Sequence, residues 1–252
     1  IWLAFLVSLL RPGGEMVIAA DYKQKIYAQT YASNATSQLP FRGRWRQISD
    51  VSERLPDVIV PWLNQFASDH QIGDPEDLPL APRQTSFAFA SMTMWKNFDS
   101  ENSALSEVCK LVQWLKAKHS KSPEAIALLV PTRRLGAALV DAISATFGSE
   151  SVDDVFGEKH RSKKRRMYMG GGRLKASTIH SFKGWDIETV ILLWHSVKPM
   201  KDGDYELLYA GLTRAKVNLF VFNLDPELRY VANEFPRSYT AEVDALPNVR
   251  EE

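Results

Sequence analysis

Cysteine is almost missing from these 252 residues: Cys109 stands alone, which excludes a disulfide framework and any cluster of thiolate metal ligands. The five histidines are scattered, so no metal site built from this chain's own side chains is expected, and a reducing, cytoplasmic setting is. An excess of charge is missing too. Basic residues number 31 against 30 acidic ones, and a net charge of +1 neither announces nor excludes a polyanionic partner. The apolar opening Ile1 to Leu10 is far shorter than the roughly 20 residues of a membrane span. It ends in Arg11-Pro12-Gly13-Gly14, a turn signal and not a cleavage site, so no membrane partner is expected and the chain reads as cut from a longer one. Also absent are a Gly-x-Gly-x-x-Gly turn, a Gly-x-x-x-x-Gly-Lys-Ser/Thr phosphate loop and an acidic strand end to hold Mg²⁺. A dinucleotide-dependent metabolic enzyme is thereby disfavoured.

What is present suffices for a core, since 45% of the residues are hydrophobic. A short strand, 16–20, is followed by Asp21, Gln24 and Tyr27, and a polar stretch over 32–44 reads as a linker. A helix is expected from Arg54 to about Ser68, kinked at Pro61. Alternation predicts a strand over 85–93, and Leu105, Val108, Val112 and Leu115 mark one face of the next helix. Strand 125–130, helix 135–147, strand 174–179, strand 188–194 and strand 217–222 complete an order that argues for a largely parallel sheet covered on both faces. Between 148 and 173 lies a polar connector. In its run Lys159 to Arg166, seven of eight side chains are basic or imidazole, which serves equally a solvated loop or a contact to several phosphates.

Two clusters carry the chemistry. Thr178-Ile179-His180-Ser181-Phe182-Lys183-Gly184-Trp185-Asp186 packs a hydroxyl pair, an imidazole, a lysine, a glycine and an acid between two hydrophobic strands. Tyr209-Ala210-Gly211-Leu212-Thr213-Arg214-Ala215 ends a helical pattern just before the last strand. The first resembles the "T-x-H-x-x-K-G-x-E" motif V of UvrD/Rep-like superfamily 1 helicases at every position but the last. The second resembles the family's motif VI, "VAxTRA", in its final three. Upstream, Asp21 to Tyr27 looks like motif III, "GDxxQxIY", with Ala20 in the glycine place. Arg54 looks like the arginine of motif IV, "NYR", with Glu53 in place of the tyrosine that the family stacks on adenine.

The resemblance implies a RecA-like α/β fold of the P-loop NTPase class: the tail of a first motor domain over 1–35 and a second motor domain over 36–252, without the family's large inserted domain. It implies a parent that uses ATP and Mg²⁺ to move along single-stranded DNA, 3′ to 5′, with a first RecA-like domain in cis. The phosphate loop and the Mg²⁺ ligands would lie in that domain, and this chain alone would hydrolyse almost nothing. Gln24, Arg54 and Arg214 would sense or stabilise the γ-phosphate; Gly184, Asp186 and Tyr27 would lie at the nucleotide. Thr178, His180 and Lys183 would face DNA phosphates, joined by Lys163, Lys164, Arg165 and Arg166 of the basic run. Read without the resemblance, Arg214 is an exposed helical arginine, His180 an imidazole serving loop backbone, and Lys183 a surface lysine. A non-catalytic helicase-like module that binds nucleic acid or protein is the alternative. Replacing Lys163, Lys164, Arg165 and Arg166 with glutamine should reduce the slope of log affinity against log salt for single-stranded DNA by about 3; an unchanged slope would return the run to a solvated loop.

Overall fold

The computed structural model describes residues 8–9, 11, 52, 55–73, 79–82, 91–118, 120–156, 167, 171–195 and 199–238. Among the described residues six strands form one sheet: β1 (Thr93–Asn97), β2 (Ile126–Val130), β3 (Val152–Asp154), β4 (Leu174–Thr178), β5 (Ile187–Trp194) and β6 (Ala215–Asn223). Their order across the sheet is β1-β6-β5-β2-β4-β3, and every neighbouring pair is parallel. The α/β architecture expected from the sequence is the one observed. β2 is buried at all five positions and β5 at seven of eight, the near-continuous apolar run that a strand covered on both faces requires.

The described α-helices are α1 (Val60–Asp69), α2 (Glu101–Lys118), α3 (Arg133–Phe147), the single turn α4 (Ile179–Phe182), α5 (Asp202–Leu212) and the single turn α6 (Val231–Glu234). Ser100 Oγ accepts from the Ser103 amide at the start of α2, and Thr132 Oγ1 from the Leu135 amide at the start of α3, so each helix opens on a hydroxyl cap. The chain moves one way across the sheet through α2 and α3 and the other way through α4 and α5. Right-handed crossovers then put the two pairs on opposite faces. The packing agrees: α2 meets α3, and α4 meets α5. The α2 stripe Leu105, Val108, Val112 and Leu115 is buried as the spacing predicts.

Three expectations need correction. Pro61 does not kink a helix begun at Arg54. A 3₁₀ turn over Asp57–Ile59 leads into α1, and Pro61 lies in its first turn, where a missing amide hydrogen breaks no helical bond. The strand expected over 85–93 is observed at Thr93–Asn97 and shares only Thr93, while 83–90 lie outside the described residues. The connector after Phe147 contains β3, whose three residues, only Val152 of them buried, are too few to leave a periodic signal at a sheet edge.

Register fixes the height of each strand end. Thr178 lies level with Val130, and Leu129 with Leu192, so Thr178 and Ile187 are six residues apart along the strand direction, about 20 Å. β5 and β6 pair down to Ile187↔Ala215, below the first residues of β2 and β1. Thr178 therefore ends at the carboxyl edge of the sheet, and Asp186 and Arg214 precede the two strands that reach furthest past its amino edge.

Candidate functional site

Between those edges runs the segment 179–186. Thr178 is buried, and its Oγ1 accepts from the Ser181 amide at 3.2 Å, so the threonine expected to face DNA caps α4. Ile179 and Phe182 are buried on the sheet side, while His180 and Ser181 are half-buried. Gly211 of α5 allows this packing: a Cβ there would stand 3.1 Å from Ile179 Cδ1, tighter than ordinary contact. α4 thus lies against the helix that carries the second cluster. The Trp185 amide donates to Phe182 O at 3.0 Å, and Gly184 takes φ 86°, the left-handed conformation that glycine adopts without strain. Lys183 is exposed, and so is Trp185, at 41%.

The two clusters meet at Arg214. Its Nε donates to Ala210 O at 2.8 Å, its Nη1 to Trp185 O at 3.3 Å and its Nη2 to Thr213 Oγ1 at 3.0 Å. The Arg214 carbonyl in turn accepts from the Ile187 amide at 3.1 Å. The residue is 2% exposed, so it is not the exposed helical arginine that its sequence context alone suggests. Placed at the end of α5, the cation satisfies a last-turn carbonyl and opposes the negative end of the helix dipole. Asp186 forms an ion pair with Lys216 at 2.7 Å, and both side chains are partly solvated.

Thr178, His180, Lys183, Gly184, Asp186 and Arg214 thus belong to one continuous unit, with Thr178 at one edge of the sheet and Arg214 and Asp186 at the other. Gln24, Tyr27, Arg54, Lys163, Lys164, Arg165 and Arg166 lie outside the described residues. Sequence reasoning missed Lys216, whose signal is an exposed residue beside buried Ala215 where β6 begins. The contact role of Gly211 also went unread, since no local pattern reports a neighbour 32 positions away. Among the described residues no group of three or more His, Cys, Asp or Glu side chains is placed to hold a metal. Burial pushes the Cys109 thiol up, which makes it a poor nucleophile. Burial also raises the Asp225 carboxyl, beyond the carboxyl end of β6, against the bond it accepts from the Glu227 amide. No described helix is long and apolar enough to cross a membrane.

No protein-family model matches the chain, and no curated protein matches it. Among solved structures, it is similar to the C-terminal domain of a possible DNA helicase from Lactobacillus plantarum, at 16% identity over 75% of this chain and 96% of that one, with a TM-score of 0.45. The helicase MrfA bound to DNA overlaps it at 15% identity, over 57% of this chain and 22% of that one, with a TM-score of 0.34. A DEAD-box helicase bound to ssRNA and UDP-BeF overlaps at 12% identity, over 61% and 34%, with a TM-score of 0.40. Overlap this loose assigns no family.

Arg214→Ala removes three hydrogen bonds and empties a side-chain site that is 2% exposed, although Ala210 O keeps the Thr213 hydroxyl as a donor at 3.1 Å. Urea unfolding should show a loss of about 3 kcal/mol, only partly recovered by Arg214→Lys, whose ammonium lacks the planar fork. A loss within 0.5 kcal/mol, about the scatter of neutral surface changes, would mean the three bonds do not hold.

Proposed function

We propose that this chain supplies the second, RecA-like motor domain of a UvrD-like superfamily 1 helicase, acting with a first motor domain in cis to couple ATP hydrolysis to 3′ to 5′ movement on single-stranded DNA. The observation that carries the reading is the bond from Arg214 Nη1 to Trp185 O, which joins the two motif-like clusters at one place. β5 and β6 are neighbours, so the turn before one lies beside the arginine before the other, as a site shared by the two motifs would need. Here the arginine grips the backbone of the loop that holds Gly184 and Asp186.

The chemistry follows from position. A γ-phosphoryl group in transfer carries charge on its equatorial oxygens, and a guanidinium delivered from a neighbouring domain accelerates the reaction by about 10³ to 10⁵. In this proposal Arg214 exchanges Thr213 Oγ1 and Trp185 O for phosphate oxygens when the two domains close. Release of Trp185 O frees the turn 184–186, and the change passes through 179–186 to Thr178 and His180 at the opposite edge, where the strand would lie. Asp186 and Gly184, with Gln24, Tyr27 and Arg54, are the residues proposed to complete the nucleotide site. Mg²⁺ would supply charge neutralisation on the phosphates, held by ligands of the first domain.

A second reading rests on a specific observation. Arg214 is 2% exposed and committed to internal bonds, and Asp186 is held by Lys216, as would suit a helicase-like module that binds nucleic acid or protein without hydrolysis. One experiment separates the two. In the intact parent, Arg214→Ala should still bind single-stranded DNA, which shows that it is folded, while DNA-stimulated ATP turnover falls by about 10³ or more. Normal turnover in that variant would remove the arginine from the reaction, and a wild-type parent without turnover would establish the module.

A further inference from the structure

Away from the motif cluster, α1 and the chain after β6 enclose a hollow of about 210 Å³. Its walls are rings. Trp62 and Phe66 lie with centroids 5.1 Å apart, and His70 and Tyr230 continue the wall. Trp62 and His70 are braced from behind. Trp62 meets Phe235 edge-on at 4.9 Å, and His70 stacks on Tyr205 of α5 at 3.9 Å, while its Nε2 and the Tyr230 hydroxyl are hydrogen-bonded at 3.2 Å. Phe66 is buried and Tyr230 is 46% exposed, so the hollow grades from a sealed floor to an open lip. An exposed tyrosine and a half-buried tryptophan around a cavity are not what closure of a core requires.

The lip carries charge of one sign. Asp69 and Glu234 line it, both exposed, and Gln65 Nε2 donates to Asp69 Oδ1 at 2.6 Å, which orients that carboxylate. Glu234 makes no ion pair among the described residues. Among the described residues no lysine or arginine lines the hollow. The one basic group among its described lining residues is His70, which burial holds below the usual imidazole range against the opposing pull of Asp69, so at neutral pH it adds no positive charge. Aromatic rings and two carboxylates, with nothing cationic among the described lining residues, form an incomplete set whose missing member is a cation.

We propose that this hollow is a recognition site for the guanidinium of an arginine on a partner polypeptide. A planar, weakly hydrated cation stacks on aromatic faces and presents a fork of donors to carboxylates, which a compact, strongly hydrated ammonium does less well. The rings supply cation–π attraction, and the braced geometry means little is lost in ordering them. The site stands apart from the motor reading, since neither Arg214 nor the segment 179–186 lines it.

The test uses the whole chain and small probes. Acetyl-arginine methylamide at millimolar concentration should give saturable NMR shifts confined to the rings of Trp62, His70 and Tyr230, and its isosteric neutral counterpart, acetyl-citrulline methylamide, should give none. Asp69→Asn combined with Glu234→Gln, and separately Tyr230→Ala, alter exposed positions and should each weaken binding by about tenfold. Equal shifts with citrulline or with the lysine counterpart, no saturable shift with arginine, or unchanged affinity in the double variant would each overturn the proposal.

Discussion

Eight residues have to bring the chain from the top of one parallel strand to the bottom of another. β4 and β5 flank β2, so after Thr178 the chain must cross two strand spacings and descend about 20 Å before Ile187 can pair. Parallel strands ordinarily use a dozen or more residues for such a return. Nine helical steps would cover only about 14 Å and could not arrive. The observed solution is one helical turn, α4, followed by an open stretch that turns at Gly184. The segment's side chains follow that path: Ile179 and Phe182 are buried, His180 and Ser181 are half-buried, Lys183 is exposed, and Trp185 and Asp186 lie at the lower edge.

Arg214 closes the arrangement. A short crossover has few internal hydrogen bonds, and its last carbonyls would go unsatisfied at the sheet edge. The guanidinium takes one of them, Trp185 O, while also serving Ala210 O at the end of α5. A single planar cation with several donors can do this; no neutral side chain and no lysine has the same geometry. The arginine that satisfies the turn at rest is also the group that a phosphate would attract most strongly. Structural and catalytic roles thus compete for the same donors, and that competition gives the proposed motor its means of linking nucleotide and strand.

The central strands were legible because burial on both faces leaves an unbroken apolar run: Ile126–Val130, Ile187–Trp194 and Ala215–Asn223 fall within two residues of their expected bounds. α2 announced itself through one buried stripe. β3 did not, since three residues at an edge with one buried side chain carry no period. Pro61 was misread because a proline reads alike in a first turn and in a helix interior until the start of the helix is known. The nearness of the two motif-like clusters was legible through resemblance alone. The burial of Arg214 was not, because it depends on Trp185 O and Ala210 O, backbone atoms that a sequence pattern does not display. Lys216 was hidden for a related reason: its partner Asp186 is 30 positions away, and only the strand register brings them together.

If the segment 179–186 is one mechanical unit, loosening its upper end must be felt at its lower end. Thr178→Val removes the cap on the Ser181 amide and keeps the side-chain shape, a loss of about 1 kcal/mol or roughly a fivefold change in local opening. Residue-resolved hydrogen exchange should then show the Ser181, Trp185 and Ile187 amides accelerating together by about that factor, although Ile187 lies some 20 Å away along the strand direction. Acceleration confined to Ser181, with Trp185 and Ile187 unchanged, would mean that the two edges of the sheet are not coupled through this segment.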